Sequence, residues 1–172
     1  MAPWTRDPPV VLQRLQFDDD QSGPRLNLLV SYGGWRPVPV VDQVVRLLEP
    51  LGICGYRAHS GEEAAELIEQ QPIHIAVVDL DLPLRTPTDD EASPPRCGDR
   101  ILELLRRLEA PPPTVVVRSP QPTARESARE LGRALREGVF TVVDRPVQLE
   151  TMLEILRRIV RRYYADHWPA SE

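Results

Sequence analysis

The chain has 172 residues, of which 41% are hydrophobic and 27% charged, and its formal net charge is −5. This composition predicts a soluble globular domain with some additional length, and the acidic balance gives it no general attraction for nucleic acids. No apolar stretch approaches the ~20 residues of a membrane helix, and the amino terminus lacks a signal-peptide pattern. Cys54 and Cys97 are far apart, in no metal-binding spacing, so we expect free thiols in a reducing cytoplasm.

Strand-like and helix-like segments alternate along most of the chain. Residues 1–25 carry four prolines and an acidic run and are predicted to be an extension outside the core, and residues 165–172 a carboxyl-terminal tail. The predicted strands are 26–30, 54–58, 73–79, 114–117 and 140–143, and the predicted helices are 38–51, 60–70, 98–108, 124–136 and 149–164. This alternation predicts one α/β domain, residues 26–164, with a doubly wound parallel sheet and right-handed crossovers.

Residues 84–97 interrupt this pattern. The segment is rich in proline and acidic residues and has no periodicity, so it is predicted to be an inserted loop after the third strand. Its acids, Asp89, Asp90 and Glu91, either are solvated or reach the nearby sheet edge as metal ligands.

The third predicted strand carries the main candidate for a functional residue. It is a short apolar run that ends in Asp79, with Asp81, Leu82 and Pro83 just beyond it. Such a run is typical of a strand buried on both faces of a parallel sheet. Ligands collect in the crevice at the carboxyl ends of such strands, so Asp79 is predicted to lie in a binding crevice.

Four segments in order resemble the receiver domain of bacterial two-component response regulators (CheY-like). They are residues 52–83 with the helix start at 60–64, Asp79 with Leu82 and Pro83, the strand 115–119, and residues 138–146. The resemblance covers about residues 26–164. It implies a flavodoxin-like (βα)5 fold of five strands in the order 2-1-3-4-5.

The resemblance also implies roles for individual residues. Asp79 stands at the position of the phosphate acceptor, and Ser119 and Arg145 stand at the positions of the phosphate-binding and switch residues. If the protein is phosphorylated, Mg²⁺ would be held weakly by Asp79 and by the backbone carbonyl of Asp81. No other cofactor is predicted.

The departures from the family pattern concern this same site. Ser31 and Tyr32, or the glycines after them, replace the acidic pair that helps hold the metal. Arg145 replaces a lysine, in a chain that has no lysine at all, and Val142 replaces the switch aromatic. These departures favour an atypical or pseudo-receiver, a non-enzymatic cytoplasmic adaptor that binds a partner without phosphorylation. The alternative is a genuine single-domain response regulator phosphorylated on Asp79 by a histidine kinase.

A basic surface is predicted on the last two helices, because arginines spaced by four, four and three residues share one helical stripe. The residues predicted to contact a partner are Arg125, Arg129, Arg133, Arg136, Arg157, Arg161 and Tyr164. Interleaved glutamates leave open that the stripe is a salt-bridged, solvated surface. The resemblance implies that helix 4, strand 5 and helix 5 bind a kinase or output protein or form a homodimer.

Other classes of function have little support in the sequence. It has no DNA-reading module, so nucleic-acid binding is disfavoured. It has no glycine-rich phosphate loop and no nucleophile motif, so no catalytic residue is predicted.

Overall fold

The computed structural model describes residues 26–32, 39–88 and 94–164. Within these residues the five strands are β1 (Leu26–Ser31), β2 (Ile53–Ala58), β3 (Ile75–Asp79), β4 (Thr114–Arg118) and β5 (Thr141–Asp144). The five α-helices described are α1 (Pro39–Leu48), α2 (Gly61–Gln70), α3 (Gly98–Arg106), α4 (Ala124–Arg136) and α5 (Leu149–Tyr163). The predicted extension 1–25, the tail 165–172 and the acids at 89–91 lie outside the described residues.

The strands form a single parallel sheet in the order β2-β1-β3-β4-β5. This order confirms the predicted fold class. The order reverses beside β1, so the crevice at the carboxyl edge opens between β1 and β3. Asp79 ends β3 at this edge, and its Cα is paired with that of Val117 on β4.

Two apolar layers cover the sheet. On one face Leu28 and Val77 pack with residues of α1 and α5 such as Val45 and Leu156. On the other face Ala76 packs among residues of α2 and α3. β3 is buried along its whole length, as a strand covered on both faces must be.

Two helices, α2 and α4, begin at residues whose side chains supply an unpaired backbone N–H group with a partner. The Ser60 hydroxyl accepts the Glu63 N–H at 3.2 Å at the start of α2, and Glu63 in turn accepts the His59 N–H at 2.7 Å. The imidazole of His59 also lies beside this carboxylate, with Nδ1 3.5 Å from Glu63 Oε2, and this side-chain interaction raises the pKa of His59. Thr123 caps α4 in the same way, through the Glu126 N–H.

Backbone hydrogen bonds close the base of the predicted insertion. The Leu84 N–H donates to the Pro95 carbonyl at 2.8 Å, and Pro83 and Arg96 form an antiparallel bridge. The two described ends of this segment therefore lie side by side at the carboxyl end of β3.

None of the helices within the described residues is long and apolar enough to cross a lipid bilayer.

Candidate functional site

Asp79 is an acid with no solvent-exposed surface, at the carboxyl end of the central strand. Its Oδ1 accepts the Asp81 N–H at 2.8 Å, and its Oδ2 accepts a hydrogen bond from Arg145 Nη1 at 2.9 Å. A buried carboxylate remains ionised only when hydrogen bonds and an opposite charge replace its hydration. Arg145 supplies that charge from the end of β5.

Arg145 joins the predicted residues into one network. Its Nη2 donates to the carboxylate of Asp81 and, at 2.9 Å, to Ser119 Oγ. The Ser119 hydroxyl in turn donates a hydrogen bond of 2.9 Å to Asp81 Oδ2. The structure therefore brings Asp79, Ser119 and Arg145 together at the carboxyl edge of the sheet, where the sequence predicted them to converge.

Arg96 joins the network from the end of the insertion. Its Nη1 lies 2.6 Å from Asp81 Oδ1, although the arginine side chain is largely exposed. Neither Arg96 nor the side chain of Asp81 was identified from the sequence. The contact depends on the return of a long loop to its starting point, which no local pattern indicates.

The described residues near Asp79 do not form an open magnesium site. Among residues 26–32, 39–88 and 94–164, no group of three or more histidine, cysteine, aspartate or glutamate side chains could hold a metal ion. The carboxylates of Asp79 and Asp81 are both paired with arginine. Ser31 is buried and donates its hydroxyl to the Val77 carbonyl at 3.1 Å, so it serves the sheet instead. Mg²⁺ is usually bound by one or two free carboxylates with water in its other octahedral positions, so the pairing of both carboxylates with arginine disfavours it here.

A second cluster lies one residue before Ser119 and Arg145, at the last residues of β4 and β5. Arg118, only 5% exposed, donates to Asp144 Oδ1, Glu130 Oε2 and Ser127 Oγ, each at 2.7 Å. This arginine ties α4 to the ends of β4 and β5. Its role was not predicted from the sequence, although one charged residue at the end of a valine run is a recognisable signal.

The six arginines of the predicted partner surface lie on the exposed sides of α4 and α5, whereas Tyr164 does not. All six arginines are exposed, and Arg133 also pairs with Glu137 at 3.1 Å. Tyr164 is half-buried instead: its hydroxyl donates to the His74 carbonyl at 2.6 Å, and its ring packs edge-on against the His74 ring. Burial also raises the pKa of this hydroxyl. Tyr164 thus belongs to the amino edge of the sheet.

The aromatic residue exposed on α5 is Tyr163, half of whose surface is accessible. Its ring lies edge-on to Phe140, just before β5, and Arg162 stacks over it. Helical spacing placed Tyr163 on the apolar side of α5. Because the sheet ends at β5, there is no further strand for this side chain to cover.

The fold is similar to solved receiver domains. A CheY-like response-regulator receiver domain from Methanospirillum hungatei JF-1 has a TM-score of 0.61 at 17% identity, covering 83% of this chain and 99% of that chain. The chemotaxis response regulator CheY4 of Vibrio cholerae has a TM-score of 0.57 at 17% identity, covering 79% and 99% of the two chains. A sensor protein from Polaromonas sp. JS666 has a TM-score of 0.56 at 23% identity, covering 81% and 98%.

The chain therefore has the fold of two-component response-regulator receiver domains, as the four sequence segments predicted. No protein-family model and no curated protein sequence matches it.

Proposed function

We propose that this protein is an atypical receiver that takes part in bacterial signal transduction by binding a protein partner, without phosphorylation of Asp79. The observation that carries the proposal is the state of the Asp79 carboxylate. It has no exposed surface, and its two oxygens are held by Arg145 and by the Asp81 N–H. A phosphoryl acceptor must present an oxygen in line with the incoming group, and a held, covered carboxylate presents none.

The electrostatics of the site also support this proposal. Phosphoryl transfer spreads negative charge over the non-bridging oxygens, and a hard cation with free coordination positions normally neutralises it. Here two carboxylates and two arginines already neutralise one another. Ser31, which replaces an acid at the end of β1, donates its hydroxyl to the sheet.

The surface formed by α4, β5 and α5 is the proposed binding surface. α4 carries the arginine stripe on one side and exposed Leu131 and Leu135 on the opposite side, and Tyr163 is exposed on α5. Exposed aromatic residues and arginine are both enriched in protein interfaces. The partner would be a cytoplasmic signalling protein with an acidic surface, a histidine kinase or an output protein, or a second copy of this chain. The proposed activity is non-enzymatic.

One observation favours a second candidate function. The Ser119 hydroxyl and the Arg145 guanidinium, which could bind a phosphoryl group, already lie beside Asp79. In this alternative the protein is a single-domain response regulator that accepts phosphate on Asp79 at a remodelled site.

Intact mass spectrometry separates the two candidates. The protein is incubated with Mg²⁺ and acetyl phosphate under conditions that label an ordinary receiver, with the Asp79→Asn variant as the matched control. We expect no added mass in either protein, because Arg145 covers the acceptor. One added phosphate in the wild type that is absent from Asp79→Asn would overturn the adaptor proposal and establish the alternative.

A further inference from the structure

Three hydrogen-bond donors from separate parts of the chain converge on one carboxylate, that of Asp81. Arg96 Nη1 lies 2.6 Å from Oδ1, while Ser119 Oγ, at 2.9 Å, and Arg145 Nη2 contact Oδ2. Arg96 comes from the return of the insertion, Ser119 follows β4 and Arg145 follows β5. The Asp81 side chain is mostly buried, with 22% of its surface exposed.

The chemistry of these donors is that of an oxyanion receptor. Two guanidinium groups and a hydroxyl form the donor set that binds phosphate or sulfate in proteins, because planar forks match tetrahedral oxyanions and supply charge-assisted hydrogen bonds. A carboxylate brings only one negative charge and two oxygens to this receptor.

The charge balance indicates what would happen without Asp81. Asp79 and Asp81 together balance Arg96 and Arg145. If the Asp81 carboxylate is removed, Asp79 still pairs with Arg145 Nη1, but Arg96, Arg145 Nη2 and the Ser119 hydroxyl lose their common acceptor. An excess positive charge then faces a gap the size of a carboxylate.

We propose that Arg96, Ser119 and Arg145 form a binding site for a phosphate-class oxyanion, and that the chain's own Asp81 carboxylate occupies this site as an internal ligand. Asp81 therefore keeps the site filled when nothing is bound and excludes phosphate from it. This inference rests on the proposed function, since it identifies the Asp81 carboxylate as the group that keeps phosphate out of the same site.

The test is thermal unfolding of the wild type and of Asp81→Ala and Asp81→Asn, with EDTA present, in inorganic phosphate and in sodium chloride at equal ionic strength. In Asp81→Ala, phosphate at ten times its Kd should raise the unfolding temperature by about 3–5 °C relative to chloride. The wild type should show only the small general effect of phosphate on stability. Asp81→Asn, which keeps the shape of the side chain, should respond in the same direction if Asp81→Ala does not fold.

Two further variants control this experiment. Asp42→Asn removes a carboxylate that also pairs with an arginine, Arg57 at 2.6 Å, but on α1 and β2 and outside the Asp81 network, and it should behave as the wild type. Adding Arg96→Gln to the Asp81 variants should abolish the additional response. The proposal is overturned if neither Asp81 variant responds to phosphate more than the wild type does, or if the response survives Arg96→Gln.

The outcome is independent of the test of Asp79. Phosphorylation of the wild type by acetyl phosphate would contradict the adaptor function, whatever phosphate does to Asp81→Ala. Absence of a phosphate response in the Asp81 variants would leave the adaptor function intact and would contradict only the proposal that Asp81 is an internal ligand.

Discussion

Gly98 lies directly against the backbone that carries the Asp79 site. A Cβ atom at this position would lie 2.5 Å from Leu80 Cα and 2.6 Å from the Asp79 carbonyl oxygen. Both are backbone atoms, which cannot move aside as the end of a side chain can. The absence of a side chain at Gly98 therefore allows α3 to begin directly against the end of β3.

We expect Gly98→Ala to destabilise the protein by about 2–3 kcal/mol, because the loop carrying Asp79 and Asp81 must shift to admit the methyl group. Urea unfolding measures the change. The matched control is Gly132→Ala in α4, where the nearest atom is the end of a flexible side chain at 3.5 Å. That substitution should stabilise the protein by about 0.5–1 kcal/mol through helix propensity. Equal effects of the two substitutions would contradict this account of the site.

The site residues found from the sequence share one property: each directly ends a recognisable strand or follows it. Asp79, Ser119 and Arg145 could be placed at one sheet edge because the carboxyl ends of parallel strands meet there. The partners Arg96 and Asp81 could not be paired from the sequence, since their contact depends on how residues 84–97 close. Tyr164 was predicted to be an exposed aromatic anchor at the end of the last helix, because no local pattern shows that its hydroxyl reaches the carbonyl of His74.

At the scale of elements, α4 differs from the other described helices. No residue of α4, all of which is described, is fully buried. Its attachment depends strongly on Arg118, which bonds Glu130 and Ser127 on the helix and Asp144 on β5. α4 is therefore attached to the sheet more by the hydrogen bonds and ion pairs of Arg118 than by buried apolar side chains.

Arg118→Ala should cost about 1–3 kcal/mol of unfolding free energy, because it removes three hydrogen bonds made by a buried side chain and leaves a gap under α4. Hydrogen exchange should increase first in the amides of α4. Arg107→Ala, which removes an exposed arginine paired with Glu103 at 2.7 Å, should cost no more than about 0.5 kcal/mol. If the amide hydrogens of α4 exchange no faster in Arg118→Ala than in Arg107→Ala, the contacts of Arg118 are not what holds this helix.

The predicted elements match the observed ones closely, and the differences have physical causes. The first predicted helix, 38–51, divides into α1 and a 3₁₀ turn, Glu49–Leu51, because Pro50 cannot donate the next hydrogen bond. α3 ends at Arg106 instead of continuing to Leu108, and Leu104 is exposed although its spacing predicted burial. The spacing of apolar residues identifies a helix, but it does not show how much of the helix the neighbouring elements cover.

For the whole molecule, the exposed apolar residues of α4 and α5 lie at one end of the sheet, beside β5. β5 pairs with β4 alone within the described sheet, so its other edge is not covered by a strand. Leu135 is 48% exposed and Tyr163 is 49% exposed in this region. We expect this surface to mediate self-association or partner binding.

Leu135→Glu should weaken that association at least tenfold, about 1.4 kcal/mol, because it places a charge in an apolar contact. Sedimentation velocity over a range of protein concentrations measures it, for the chain alone and with an isolated partner. Leu47→Glu is the matched control, since Leu47 is equally exposed, at 50%, but lies on α1. An identical effect of both substitutions would show that the association does not use the α4 surface.

The two ends of the described core lie close together. Tyr164 donates to the carbonyl of His74, and the His74 N–H donates to the Asn27 carbonyl at 2.9 Å, so both ends lie at the sheet edge opposite Asp79. The core can therefore be circularly permuted by a short linker between these ends, with new termini opened in the insertion. In such a permutant Asp81 would lie near the carboxyl terminus and Arg96 near the amino terminus. Their ion pair would then join the first and last segments of the rearranged chain.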